Sequence, residues 1–178
     1  MADFGSAAFR RGPFTVELDG ASYVFPALNA AQWLELLARR DWPLAIVQRM
    51  PDESYERFIE HPQVDAQYLE RLACAVLSSA GGRTWWETFR LAHIVLSNPS
   101  VLGSVLMRGT DPERLTLAAF LSCVRVLVMQ NLEEIQRTQL DMELTMPPPE
   151  ALEREPVQEM SMEDLVAQMR GIPGVSIG

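Results

Sequence analysis

The chain has 178 residues, 48% of them hydrophobic, which suits one domain with a substantial apolar core. Its formal net charge of −9 argues against a nucleic-acid partner, because phosphates attract basic surfaces. The charge is uneven: residues 1–129 carry 14 acids and 12 arginines (−2), whereas residues 130–178 carry 10 acids and 3 arginines (−7). We therefore expect a nearly neutral body followed by an acidic tail.

The sequence has no signal for secretion or for a membrane span. Residues 1–12 lack the continuous apolar core of a signal peptide. The longest apolar run, residues 117–129, is too short to cross a bilayer and contains Arg125. Cys74 and Cys123 lie in apolar helical patterns, which favours small buried hydrophobes over a disulfide. We therefore expect a soluble intracellular protein with no membrane partner.

A β-hairpin is predicted close to the start of the chain. The stretch FTVELDGASYVF alternates apolar and polar residues around Asp19-Gly20, and Asp-Gly between β-formers is a strong turn signal. Phe14, Val16 and Leu18 would share one face of the first strand. Because an isolated hairpin is marginally stable, we expect it to lie against helices or to join another chain's sheet.

Helical spacing dominates from Asn29 to Met146. Several helix starts are marked by side chains that cap free backbone N–H groups, some with Glu or Gln three residues on. The glycine pair at positions 81–82 is typical of a helix end. The predicted caps are Asn29 (with Gln32), Asp41 (with Pro43 in the first turn), Asp65 and Thr84 (with Glu87).

The last helix of this region is predicted to be long. Thr110 and Glu113 form a capping-box pattern, Pro112 suits a first turn, and no glycine or proline follows until Pro147. The helix would run for about 34 residues and about 50 Å, with a buried apolar first half and a polar second half.

The predicted fold class is therefore mainly α. Residues 1–13 form a flexible leader. Residues 14–146 form a helical domain with an N-terminal β-hairpin and a long central C-terminal helix. Residues 147–178 form a flexible acidic tail that contains a short amphipathic helix.

The sequence contains no residue set typical of an enzyme or a metal site. It has no Gly-rich phosphate loop, CxxC pair or HExxH helix. The histidines and cysteines are too widely spaced for a local zinc site, although a Cys–His or Ser–His pair formed only in space stays open. Adjacent Glu133 and Glu134 are typical of a solvated helix face rather than of acid/base chemistry. We predict a non-enzymatic protein without catalytic, cofactor or metal sites.

Two adjacent tryptophans open one predicted helix, in GGRTWWETFRLAHIV. Trp86 lies about 100° around the helix from Trp85, with Arg90 and His93 at i+4 and i+7. Three interpretations stay open: both tryptophans anchor the helix to the core, Trp86, Arg90 and His93 border a partner groove, or the rings stack a sugar or nucleobase. In the first interpretation, helical spacing predicts a core stripe of Trp85, Phe89, Ala92 and Leu96.

A second candidate contact lies in the acidic tail. In SMEDLVAQMR, apolar residues recur at helical spacing, and methionine suits adaptable surfaces. The alternatives are a disordered tail, contact with a partner, or docking on the chain's own groove. The candidate partner-binding residues of this stripe are Met160, Met162, Leu165, Val166 and Met169.

Three stretches carry a resemblance to a known family: FTVELDGASYVFPALNAAQWLELL, GGRTWWETFRLAHIV and LMRGTDPERLTLAAFLSCVRVLVMQNLEE. Over about residues 14–145, the chain resembles tail assembly chaperones of long-tailed bacteriophages, in particular those infecting GC-rich actinobacterial hosts. Thr84 stands where the family has proline, and either residue can begin a helix. The family's Gly-Arg-x-Trp-Trp helix start and Gly-x-Asp-Pro turn correspond here to Gly82, Arg83, Trp85 and Trp86, and to Gly109, Asp111 and Pro112.

The resemblance implies a non-catalytic function in the cytoplasm of a bacterial host. Such chaperones coat the long helical tape measure protein before the tail tube polymerises around it, and they are absent from the mature virion. In many such phages a programmed frameshift yields a longer form that recruits the tail tube protein. The resemblance thus implies these two partners, while self-association as a homo-oligomer stays open. The alternative is a structural phage or bacterial assembly protein that is retained in a particle through its hairpin.

Overall fold

The structure is a computed structural model that describes residues 13–154. The chain divides into two units, Met1–Met146 and Pro147–Gly178. In the described part, the first unit contains a two-stranded antiparallel hairpin and eight helices, and the second contains one six-residue helix. The predicted mainly helical fold with an N-terminal hairpin is confirmed. The predictions for residues 1–12 and 155–178 lie outside the described residues.

Three helices, α4, α5 and α7, pack on one another at the centre of the first unit. The bounds of all described elements are β1 Phe14–Leu18, β2 Ala21–Phe25, α1 Ala30–Leu37, α2 Trp42–Val47, α3 Asp52–Ile59, α4 Ala66–Gly81, α5 Trp85–Ser97, α6 Pro99–Met107, α7 Leu117–Gln130, α8 Glu134–Thr145 and α9 Pro149–Arg154. The core includes the fully buried side chains of Leu72, Leu77, Leu91, Phe120 and Leu121.

The hairpin turns at Asp19-Gly20, as predicted. Both residues have positive φ (48° and 81°), which is the backbone of the two-residue turn that suits twisted strands. The Asp19 carboxylate lies 3.3 Å from His61 Nε2 and accepts a hydrogen bond from the Gln63 side-chain amide, which ties the turn to the loop after α3. The inner face of the hairpin consists of the buried residues Val16, Leu18, Tyr23 and Phe25.

Most of the predicted helix boundaries are confirmed. Asn29 and Gln32 form a reciprocal capping box, and the Asp65 and Thr84 side chains accept from backbone N–H groups three residues on. Gly82 ends α4 with a φ of 63°. Asp41 occupies the predicted cap position of α2 but makes no capping bond, because its carboxylate pairs with Arg39 instead.

The predicted single helix from about residue 112 to residue 146 is wrong, because the chain forms two helices there. Glu113 donates its backbone N–H to Asp111 in a turn, and α7 begins only after Thr116, which caps the N–H of Ala119. A second break separates α7 from α8 at residues 131–133. The long second half of the expected helix therefore folds back as a helix of its own.

The break between α7 and α8 is held by polar side chains. Asn131 Nδ2 donates to the Leu127 carbonyl at 2.9 Å, and Arg137 Nε donates to the Leu132 carbonyl at 2.8 Å. Gln136 Oε1 accepts from the N–H of Glu133 at 3.1 Å. These bonds replace the backbone hydrogen bonds that a continuous helix would make, so the chain bends without a glycine or a proline.

The predicted core stripe of α5 is confirmed only in part, since Ala92 is fully buried, whereas Trp85, Phe89 and Leu96 are partly buried and pack against the edge of the core. The small side chain of Thr88 is buried where α5 approaches the end of α4, and an aromatic ring does not fit there. The stripe that faces the core is rotated and consists of Thr88, Leu91, Ala92 and Val95. One cysteine also departs from prediction: Cys74 is buried, but Cys123 is exposed.

Candidate functional site

A candidate site is formed by a groove between α5 and the second half of α8, here called the α5–α8 groove. Its volume is about 780 Å³. Six of its ten lining residues are apolar, and the others offer a guanidinium, an imidazole, an amide and a carboxylate. The lining residues are Phe89, Arg90, His93 and Ile94 from α5, and Gln139, Leu140, Met142, Glu143, Leu144 and Met146 from α8 and its end.

One wall of the groove belongs to a helix that packs in the core, and the other belongs to a helix with fewer buried side chains. The α5 wall lies next to the buried stripe by which α5 packs on α4 and α7. Of the residues of α8, Leu144 is buried and Leu140 is partly buried against the core. Met142 and Met146 are 57% and 58% exposed, which leaves two flexible apolar side chains on the rim.

Two side chains of α5 bind the carboxyl end of α8. The Trp86 indole N–H donates to the Thr145 carbonyl at 3.2 Å. Arg90 Nη1 donates to the Met146 carbonyl at 2.6 Å, the Leu144 carbonyl at 3.3 Å and the Glu143 carbonyl. The last carbonyls of a helix have no partner within the helix and carry partial negative charge, which a guanidinium stabilises.

His93 lies at the open edge of the groove. It is exposed, and its ring is stacked on Phe89 with the ring centres 6.2 Å apart and the planes 6° from parallel. The ring centre of Phe89 in turn lies 5.5 Å from that of Trp42 in α2. The histidine thus extends a short aromatic surface from the body to the groove.

A network of charged side chains connects α8 to α5 and α7. The Glu87 carboxylate lies 3.0 Å from Arg83 and 3.3 Å from Arg125, and its side chain is only 13% exposed. Arg125 also binds Asp141 of α8, and Arg83 donates to Ser122 Oγ at 2.8 Å. Glu87 therefore connects α5 to α7, and Arg125 carries the connection on to α8.

Sequence reasoning placed Trp86, Arg90 and His93 on one side of a helix, and the structure brings Trp86 and Arg90 to the carboxyl end of α8 and places His93 in the groove lining. It also supplies hydrogen-bond partners for Trp86 and Arg90 from within the chain. The other wall of the groove was not predicted, although Leu140 and Leu144 have the i, i+4 spacing of a helix face. The predicted tail stripe, with Met160, Met162, Leu165, Val166 and Met169, lies outside the described residues.

A smaller groove of about 340 Å³ lies between the end of α6 and the middle of α7, and exposed Cys123 lies in it. Within residues 13–154, no three histidine, cysteine or acidic side chains come together in a way that could hold a metal ion. No helix in the same part of the chain combines the length and apolarity needed to cross a bilayer.

Three groups of the described residues, all away from the groove, have shifted pKa values. The hydrogen bond between Arg39 and Asp41 raises the pKa of the Arg39 guanidinium and lowers that of the Asp41 carboxyl, and burial raises the pKa of the Tyr68 hydroxyl. None of these groups lines the α5–α8 groove, so none points to acid/base chemistry there. Comparison of the chain with protein-family models, curated proteins and solved structures gives no match.

Proposed function

We propose that this chain is a non-catalytic tail assembly chaperone, which binds the tape measure protein of a long-tailed phage in the host cytoplasm and keeps it soluble. The observation that carries the proposal is the α5–α8 groove. Apolar grooves between helices are a common way of holding an amphipathic helix, and a tape measure protein is a long helical client. The resemblance of residues 14–145 to such chaperones supports the same partner.

The chemistry of the groove suits a client that presents many different apolar stripes. Met142 and Met146 lie on the rim, and unbranched methionine side chains adapt to ligands of different shape. Arg90 on one wall and Glu143 on the other place both signs of charge along the edges, and His93 adds an imidazole beside Arg90. Such a surface favours apolar contact without demanding one fixed pattern of charges.

Co-expression with the tape measure protein tests this proposal. The client should be insoluble alone and soluble when this chain is present. Met142→Glu places a charge on the groove rim and should weaken binding at least about tenfold, because the carboxylate would be desolvated by the client helix. Met107→Glu is the matched control, since Met107 is 91% exposed and lies outside the groove.

Two outcomes would contradict the proposal. A client that is equally soluble without this chain would remove the chaperone function. Equal binding by the Met142→Glu and Met107→Glu variants would remove the groove as the client site. Circular dichroism of both variants shows whether the fold is retained.

A structural assembly protein is the second candidate. Within the described residues β1 pairs only with β2, so each strand has an edge that could pair with another subunit in a particle. The two candidates differ in the fate of the chain. A chaperone is absent from purified virions, whereas a structural protein is retained, and mass spectrometry of purified particles distinguishes them.

A further inference from the structure

The bend between α7 and α8 is formed by a sequence that is compatible with a continuous helix. Residues 113–146 contain neither glycine nor proline. Asn131 has φ −94° and ψ 3°, close to helical values, whereas Glu133 has an extended ψ of 162°. A rotation of a few backbone dihedrals at residues 131–133 would therefore join α7 and α8 into one helix.

The helix beyond the bend is held by a small set of contacts. Among the described elements, α8 packs chiefly on α5, with Leu144 as its buried side chain. The other attachments include Leu140, which is partly buried against the core, the hydrogen bonds from Trp86 and Arg90, and the ion pair between Arg125 and Asp141. A second α8 presented to the same α5 face could form every one of these contacts.

We propose that two copies of this chain exchange α8. Residues 131–133 straighten, α7 and α8 become one helix, and the α8 of each copy packs on the α5 of the other. This self-association goes beyond the proposed chaperone function and does not depend on a client. Residues 117–145 would form a helix about 44 Å long, whose far end points away from its own α5.

The exchange conserves the α5–α8 interface, so the hinge decides the equilibrium. The bent form has the side-chain hydrogen bonds of Asn131, Gln136 and Arg137, and the straight form replaces them with backbone hydrogen bonds. Because the bent and straight forms make similar hydrogen bonds, their free energies should be close. The fraction of dimer should therefore rise with protein concentration, as expected of an exchanged element.

A proline at the hinge tests the mechanism. Glu134 is exposed and is the first residue of α8, where a missing N–H is tolerated, and the residue before a proline favours the extended backbone that Glu133 already has. In a continuous helix, position 134 is internal. Glu134→Pro should therefore weaken the dimer at least about 100-fold, whereas the control Glu134→Ala should not.

A second variant shifts the hinge in the opposite direction. Asn131→Ala combined with Gln136→Ala removes two hydrogen bonds of the bend and places a stronger helix former at position 131, directly after α7. It should tighten dimerisation at least about tenfold. Sedimentation equilibrium and light scattering measure the dissociation constants. The proposal is overturned if this double variant is monomeric at every concentration, or if Glu134→Pro leaves the dimer unchanged.

The position of the exchanged helix is tested with mixed chains. A spin label is attached through the substitution Met142→Cys, in a Cys123→Ser background, to chains that carry no isotope label. These chains are then mixed with unmodified ¹⁵N-labelled chains. Exchange predicts concentration-dependent broadening of α5 amide signals of the ¹⁵N chains, because the label sits on the other copy's α8. Broadening confined to another surface would show a dimer of a different kind and would overturn the exchange.

Discussion

Gly81 and Thr88 meet where the end of α4 crosses the first turns of α5. A Cβ atom on Gly81 would lie 2.2 Å from the Thr88 Oγ1 and 2.5 Å from its methyl carbon. Thr88 is fully buried and cannot move outward, because its hydroxyl donates to the Thr84 carbonyl at 2.9 Å. The absence of a side chain at position 81 thus sets how closely the two helices approach and where α5 stands.

Gly81→Ala is expected to destabilise the fold by about 2 kcal/mol, because the added methyl group overpacks a filled contact. Gly103→Ala is the matched control. Gly103 is in α6 with no atom near its missing Cβ, so alanine should stabilise the protein by about 0.5–1 kcal/mol through its better helix propensity. Urea unfolding measures both changes, and equal stabilities of the two variants would contradict the steric role of Gly81.

Glu87→Gln is expected to lower the free energy of unfolding by about 3 kcal/mol. The substitution leaves Arg83 and Arg125 without their shared carboxylate in a place where Glu87 is largely buried. Asp111→Asn is the control, because its partner Arg114 is 86% exposed and such a pair contributes only about 0–1 kcal/mol. Chemical unfolding that shows similar losses for both would indicate that the Arg83–Glu87–Arg125 network contributes little.

Trp86→Phe is expected to loosen α8 selectively. The ring remains, but the hydrogen bond from the indole N–H to the Thr145 carbonyl is lost, at a cost of about 1 kcal/mol. Amide hydrogen exchange should become faster in α8 and stay unchanged in α4 and α7. Trp85→Phe is the control, since no side-chain hydrogen bond joins Trp85 to α8 among the described residues. Faster exchange throughout the first unit would instead indicate a general role in packing.

Arg39→Gln is expected to raise the pKa of Asp41 towards its ordinary value, because the hydrogen bond from Arg39 is the largest cause of the lowered value. A carboxyl whose pKa is lower in the folded protein than in the unfolded protein stabilises the fold at pH values above the unfolded pKa. This stabilisation is lost as the pH falls through the folded pKa. The effect should be small and sensitive to salt, since both side chains are exposed. An NMR titration of the Asp41 carboxyl in both proteins checks the direction.

Local signals in the sequence were sufficient for the hairpin and for most helix ends. Asp19-Gly20, Asn29 and Gly82 each fix the backbone through their own conformational or hydrogen-bonding properties, so neighbours in the sequence reveal them. The orientation of α5 depends instead on Gly81, which belongs to another helix. Periodicity alone could not tell the partly buried stripe of Trp85 and Phe89 from the stripe that is fully buried in the core.

Only the α5 wall of the groove could be predicted from the sequence. The spacing of Trp86, Arg90 and His93 placed them on one face, but Trp86 and Arg90 bind carbonyls of a helix that was expected to extend straight away from the body. The bend depends on side chains such as Asn131 and Gln136, which are equally common on the surface of an uninterrupted helix. Arg125, a charge inside an apolar run, was the signal in the sequence that could have indicated a partly buried ion pair.

Because the two cysteines differ in exposure, their reactions with a thiol reagent report separately on the surface and on the core of the protein. Cys123 is on the surface of α7 and should react with a thiol reagent in the native state, whereas Cys74 is inside α4 and should react only when that part of the core opens. The slow phase of labelling therefore measures how often the centre of the protein opens. Binding in the smaller groove would be seen separately, as protection of the fast-reacting thiol.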